Sequence, residues 1–393
     1  MHLLEEKIRK PSRLADFLFA YPRKAVPLLP KFRRFSMKIT LPALLLLLPL
    51  VAFSQKDKTS KENKDEYAVA AIGFYNLENL FDTLDSPNTF DEDFLPSGRL
   101  LWNTPKYISK QTNMAKVISQ LGTELSPDGL AILGVAEIEN RKVLEDLVAQ
   151  PELKARGYEI VHYDSPDERG IDCGFLYQPK YFKLSGSKAF PVIIADEKGK
   201  RDFTRDIVCM SGTFDGETLH LMVGHWPSRR GGETGSAPGR MAAAAVCKHV
   251  ADSLTAADPK AKIVIMGDLN DDPTNKSLTD VMKARFKSEN LKPGELYNTV
   301  YDHYKKGDGT MAYRDAWSLF DQMIVSQPLV SKKLGGWQLY KSIVWRQPWL
   351  LQTEGAFRGY PFRTFVGDLF INGYSDHLPV YLFLLKKKNE PKP

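Results

Sequence analysis

The chain has 393 residues, 43% of them hydrophobic and 26% charged, which argues against an intrinsically disordered protein and leaves room for one large domain or two average ones. A formal net charge of +6 is a mild excess, part of it at Lys31, Arg33, Arg34 and Lys38 and at Lys386 to Lys388, with no long basic run between Tyr67 and Leu385. Charge thus neither supports nor excludes a polyanionic substrate. Three scattered cysteines, Cys173, Cys209 and Cys247, are too few for a disulfide framework or a cysteine-rich metal site, and read as buried thiols.

From Met37 a short positive region leads into an apolar run from Leu41 to Ala52 that closes with Phe53, Ser54 and Gln55. This predicts a signal peptide cut before Gln55, and so a periplasmic or extracellular protein. An uncleaved anchor is the alternative; Pro42, Pro49 and the short core weigh against it. Residues 1–36 lack an apolar stretch and read as either a stretch upstream of the true start, which Met37 suits, or a long basic leader. Gln55 to Glu66 is polar and aperiodic and predicts a disordered linker. The domain is expected over 67–386, with a disordered tail over 387–393.

Within that domain, short apolar or β-branched runs bounded by turn residues predict strands at Ala68–Tyr75, Gly129–Ala136, Ile171–Tyr177, Ile207–Phe214, Leu219–Gly224, Ile263–Met266, Gln322–Ser326 and Val380–Leu384. Helical periodicity marks Lys106–Leu121, Val143–Ala149, Met241–Ala256 and Thr274–Met282. Strands that alternate with helices and then follow one another suggest an α/β domain with mixed sheets.

The residues suited to chemistry sit at the ends of these strands. Asn76 ends the first; its carboxamide can reach a cation or simply cap a turn. Glu137 leaves an otherwise buried run and needs a partner or a metal, because an unpaired buried charge is costly. Glu139, two residues on, reads as a solvated side chain rather than a second ligand. Arg169 is either a phosphate contact or the partner of Asp167, Glu168 or Asp172. His225 ends another strand ahead of a loop carrying Arg229 and Arg230, whose guanidinium forks suit phosphate. Gly267-Asp-Leu-Asn places Asp268 and Asn270 on one side, where they can take a proton from water and hold a phosphoryl oxygen or a hard cation, or else form an Asx-rich turn. Asp376 and His377 precede the last strand; an aspartate there can fix the imidazole tautomer.

In this order, with Asp321-Gln-Met-Ile-Val between the last two, these segments resemble the endonuclease/exonuclease/phosphatase (DNase I-like) superfamily from Ala70 to Leu385. The resemblance implies an α/β fold, a four-layer sandwich of two mixed β-sheets flanked by helices. It implies that Asn76 and Glu137 bind Mg²⁺ or Mn²⁺, and that Asp268 and Asn270 activate water and steady the transition state. It further implies that Asp376 orients His377, that His225 acts from the opposite side, and that Asp321 ligates metal or positions His225.

The expected activity is metal-dependent phosphoester hydrolysis on a phosphate-ester substrate, nucleic acid favoured. A phosphomonoester or a membrane lipid is the alternative, and no obligate protein partner is implied. A serine esterase would need a Gly-x-Ser-x-Gly elbow, and none is present. The aromatic segment 327–374 reads as a base-stacking surface, a lipid contact or a packed hairpin.

Overall fold

A computed structural model describes residues 66–195 and 198–388. The expected signal peptide, leader and linker up to residue 65 lie outside the described residues, as do 389–393. Thirteen strands form two sheets: β1 (Tyr67–Leu80), β2 (Leu130–Ile138), β3 (Glu159–His162), β4 (Asp172–Tyr177), β5 (Phe182–Phe190), β6 (Ile207–Phe214), β7 (Glu217–His225), β8 (Lys262–Asp268), β9 (Ala284–Arg285), β10 (Leu296–Asn298), β11 (Asp321–Ser326), β12 (Gln338–Val344) and β13 (Val380–Lys387). Sheet 1 runs β12-β13-β1-β2-β4-β3, and sheet 2 runs β9-β10-β11-β8-β7-β6-β5.

Both sheets are mixed, and both centre on a parallel pair joined by a helical crossover. β1 and β2 are parallel, with α1 (Thr104–Ile118) between them in sequence. β7 and β8 are parallel, with α3 (Glu233–Ala257) between them. The flanking strands β13, β4, β6 and β11 run antiparallel to these pairs. Four strand C-termini therefore reach one edge of the sandwich, where β11 and β13 also begin.

Strand alternation sorts the layers. Ile72, Phe74, Val223, Met266, Met323 and Leu382 fill the space between the sheets. Leu133, Val135 and Tyr75 face the other way, onto Met114 and Ile118 of α1 and Leu144 of α2 (Arg141–Val148). Ile263, Ile265 and Met222 pack on Ala243, Ala244, Cys247 and Val250 of α3, whose small side chains bring the helix close to sheet 2. The result is the expected four-layer sandwich. Phe74 is fully buried, so Phe74→Ala should cost about 3–5 kcal/mol.

The helix starts have local causes. Asn103 caps α1 by accepting from Lys106 N at 3.2 Å, with a proline in the first turn, and Asn140 caps α2 by accepting from Val143 N at 3.1 Å. α3 begins at Glu233, earlier than periodicity suggests, because Gly235, Pro238 and Gly239 carry no helical signal. The helix expected at Thr274–Met282 is instead a turn followed by a π-helical segment, Ser277–Val281. Asn275 Oδ1 accepts from Asp272 N at 2.8 Å, and Met282 N reaches back to Ser277 O at 3.0 Å, an i to i+5 bond.

The disordered tail expected from residue 387 begins too early: β13 runs through Lys386 and Lys387, which pair with Ala68 and Tyr67. The three cysteines are free and buried. Among the described residues no helix is long and apolar enough to cross a membrane.

Candidate active site

The alternation that builds the core also builds the site. Ile72 and Phe74 point between the sheets, and the next member of that series is Asn76. Val223 is followed by His225, Met266 by Asp268, and Met323 is preceded by Asp321 on the same face. Register then aligns them: Asp268 lies opposite His225 on one side and opposite Asp321 on the other. The apolar seam between the sheets thus ends in a buried polar cluster.

Close strand approach makes this alignment achievable. A Cβ on Gly267 would sit 2.0 Å from the Gly224 carbonyl oxygen, so only glycine lets β8 lie against β7 just before Asp268. The chain turns into left-handed backbone at Glu137, near the end of β2, and at Asn270, just past β8, with φ of 59° and 50°. Such conformations cost a non-glycine residue about 1 kcal/mol or more, so both strand ends carry local backbone strain.

The Asn76 carboxamide brackets two carboxylates: Nδ2 donates to Glu137 Oε1 at 3.3 Å and to Asp268 Oδ2 at 3.1 Å, while Oδ1 accepts from Glu78 N at 2.9 Å. Glu137 Oε2 accepts from Asn79 N at 2.9 Å. Asp268 Oδ1 accepts from Asn270 N at 3.0 Å, and Asn270 Nδ2 donates to Trp226 O at 2.9 Å. The two imidazoles flank Asp268, with His225 Nε2 at 3.5 Å and His377 Nε2 at 3.6 Å from Oδ2.

The partner of His377 differs from the expected one. Asp321 Oδ2 lies 2.7 Å from His377 Nδ1, whereas the nearest Asp376 oxygen is 4.0 Å from Nε2. Asp376 turns outward and accepts from Arg363 Nη2 at 2.7 Å. Asp321 accordingly pairs with His377 and not with His225, because β11 delivers it to the far side of Asp268.

Burial pushes the Asp268 carboxyl up to about 7, reinforced by Asp321 and Glu137 and opposed by His377. Burial, with Arg205, Arg169 and His377 nearby, holds His225 well below the usual histidine range. Burial acts the same way on His377, but the carboxylates of Asp321, Asp268 and Asp376 outweigh it and hold that imidazole well above the range. The surroundings thus favour the neutral ring at His225 and the imidazolium at His377. Two buried atoms, Asp321 Oδ1 and His225 Nδ1, have no hydrogen-bond partner.

The arginines divide. Arg229 is drawn into its own loop: Nε donates to Asn270 O at 2.9 Å, its other nitrogens meet Glu233, Asp271 and Asp272, and it lies 4.6 Å over Phe320. It braces the Asn270 turn. Arg169 is exposed, 3.4 Å from Asp167, and Arg230 is exposed with no ion pair among the described residues. Glu139 is not solvated: it is buried and accepts from Asp82 N at 2.6 Å and Ser86 Oγ at 2.8 Å, and burial pushes it up to about 7.

Several site-building residues carry no strong sequence signal. Arg205 is buried and binds the carbonyls of His225 and Trp226 at 3.0 and 2.7 Å, paired with Asp167 at 2.8 Å. Glu78, buried in left-handed backbone, gathers Thr364 N at 2.7 Å, Arg363 Nε at 3.2 Å and the buried Lys110 at 3.7 Å. A polar residue two past Asn76 at a strand end was the available cue. Away from this cluster, His162, Asp164 and Asp172 form a smaller group, with His162 Nε2 2.9 Å from Asp172 Oδ2.

A family model described as the endonuclease/exonuclease/phosphatase family matches residues 71–386. The chain belongs to this family. It is accordingly a metal-dependent hydrolase of ester bonds. No curated protein matches the chain. Among solved structures, TDP2 of D. rerio complexed with single strand DNA product is similar at 14% identity and a TM-score of 0.49, with 81% of this chain and 99% of that chain covered. The human Nocturnin catalytic domain with bound sulfate matches at 14% identity and 0.49, covering 82% and 96%. An endonuclease/exonuclease/phosphatase family protein from Bacteroides thetaiotaomicron matches at 15% and 0.47, covering 82% and 99%.

For a divalent cation the donors fit. Glu137 and Asp268 present oxygens to one space, both bracketed by the Asn76 amide, and no cysteine takes part. Oxygen donors with an excess of carboxylate suit a hard ion. Asn76 as oriented turns Nδ2 toward Glu137 and Asp268, so ligation through Oδ1 in that space requires its carboxamide to turn over.

Proposed function

We propose that the chain is an exported phosphodiesterase, a nuclease that cleaves phosphodiester bonds by in-line attack of water with Mg²⁺ or Mn²⁺. The observation that carries this reading is Asp268, a buried carboxylate within 3.6 Å of two imidazoles and hydrogen-bonded to the amide that also holds Glu137. The bound cation would be held by Glu137 with Asn76, and would neutralise charge growing on the phosphoryl oxygens.

The chain's own residues do the rest. Asp268 Oδ2 takes the proton of the attacking water as the new O–P bond forms and the ester P–O bond breaks. Asn270 keeps that carboxylate aimed, through its backbone N–H on Oδ1. The His377 imidazolium, fixed by Asp321, donates to a phosphoryl oxygen and stabilises it electrostatically. His225, kept neutral, stands at the opposite wall, and Arg169 and Arg230 at the exposed rim suit flanking phosphates. Export rests on the run from Met37 to Ser54, with a mature amino terminus at Gln55 as the expected mass-spectrometric result from a secreting host.

The deciding experiment assays purified protein on DNA, RNA, a phosphomonoester and sphingomyelin, with Mg²⁺, with Mn²⁺ and in EDTA. Nucleic-acid cleavage abolished by EDTA and restored by either ion is expected, and Glu137→Gln should raise the metal concentration for half-maximal rate. Full activity in EDTA, or a metal titration unmoved by Glu137→Gln, sinks the reading.

A further inference from the structure

Beside the acidic cluster lies a cavity of about 330 Å³ whose walls come from the end of β1, at Glu78 and Asn79, and from two loops, one including Phe94 and Arg99, the other Arg363 to Gly367. It shares its walls with the site at two points. Asn79, in its lining, donates its backbone N–H to Glu137 Oε2 at 2.9 Å, and Arg363 holds Asp376, the neighbour of His377, at 2.7 Å.

Its aromatic surfaces are fixed from behind. Phe94 stacks on Phe81 with centroids 4.3 Å apart and planes 9° apart, and meets Trp102 edge-on at 6.2 Å. Phe365 is wedged between Trp102 at 5.8 Å and Phe370 at 5.4 Å. Arg99 ties the two loops together by binding Asp93 of one and Asp368 of the other. The rings are therefore held in place before any ligand arrives.

Two polar groups in the lining are unspent. The Asn79 carboxamide, on a residue with φ of 50°, makes no hydrogen bond among the described residues, and Arg363 Nη1 is left over after Nε and Nη2 bind Glu78 and Asp376. A carboxamide offers the donor–acceptor pair that a base edge requires, and a guanidinium nitrogen suits a phosphate. An acyl chain would bury both without partners. The volume lies at the small end of ligand pockets and suits one nucleoside rather than two.

We propose that this cavity is a nucleoside subsite, in which the base flanking the scissile phosphate stacks on Phe94 and Phe365 and is read by Asn79. The inference rests on the phosphodiesterase reading and names its substrate as a nucleic-acid strand with an unpaired base, since a base inside a duplex is not free to enter. The aromatic segment that the sequence alone leaves open then supplies one wall of a specificity pocket.

The test compares kcat/KM on a short single-stranded oligonucleotide with that on the same strand carrying one base-free nucleotide beside the cleaved bond. Base–aromatic stacking supports a ratio of about 10 or more for the wild type, and this ratio should fall to about 3 or less in Phe365→Leu. Asn79→Gly, which keeps the left-handed backbone, should lower it likewise if Phe365→Leu fails to fold. Equilibrium dialysis of nucleoside 5′-monophosphates, with binding weakened in both variants, supplies a readout that needs no turnover. Equal rates on the two strands, or an unchanged ratio in a folded variant, overturn the subsite alone. Hydrolysis of neither strand overturns the phosphodiesterase reading, and the dialysis then decides the pocket by itself. Preference for a short-chain phospholipid, with no nucleotide binding, overturns both.

Discussion

Asp321 and His377 meet across the cleft: Asp321 opens β11 of sheet 2, His377 precedes β13 of sheet 1, and Oδ2 lies 2.7 Å from Nδ1 over a separation of 56 residues. The bond joins the two sheets where the chemistry is proposed. Asp321→Asn keeps the shape and removes the charge that favours the imidazolium. The expected result is a kcat lowered about 100-fold or more, with the metal titration unmoved. A kcat within about threefold of wild type would remove Asp321 from the mechanism.

Asp268 is buried beside Asp321 and Glu137, so like charges compete in one small volume. Asp268→Asn relieves that repulsion while keeping an acceptor for Asn270 N. Cleavage should fall at least about 100-fold, whereas the urea midpoint of the metal-free protein should hold or rise. A variant that loses both activity and stability would mark Asp268 as a structural residue.

Much of this site was legible because the apolar strands are. The series Ile72, Phe74, Asn76 and the pair Met266, Asp268 are single alternations that pass from core to chemistry, and periodicity alone follows them. Edge strands such as β5 and β12 were not legible, since their half-exposed residues lack an apolar period. Pairing of polar groups was not legible either. Asp376 stands next to His377 in sequence, yet successive residues point apart, and the true partner comes from another sheet. Arg363 and Glu78 met the same obstacle, at a separation of 285 residues.

Glu78 and Lys110 form a buried pair at 3.7 Å that ties α1 and the segment around Thr364 to the end of β1. Burial raises the Glu78 carboxyl and lowers the Lys110 ammonium; each charge favours the other, and Arg363 also favours the Glu78 carboxylate. Lys110→Met leaves Arg363 and Thr364 N on Glu78 but takes the donor from Thr364 Oγ1 and Tyr374 O, so it should cost about 1–3 kcal/mol, and Glu78→Gln with Lys110→Met should recover part of that loss. Chemical denaturation of the four proteins of the cycle measures the coupling. Additive losses would show that the two groups are independently satisfied.

His220 supplies a pH test at the opposite end of β7 from His225. It shares a hydrogen bond with Ser211 Oγ at 2.7 Å, and burial lowers its pKa, with Asp258 opposing. The folded protein therefore binds this proton less readily than the unfolded chain, whose histidines titrate near about 6.5. The contribution is fully present above that pH and is lost as pH falls through the folded-state value. Urea midpoints of the wild type should accordingly fall more steeply between about pH 8 and about pH 5 than those of His220→Gln, which carries no proton to gain. The comparison cancels the other histidines, because both proteins retain them. Parallel pH profiles would show that the Ser211 contact holds the protonated ring as well as the neutral one.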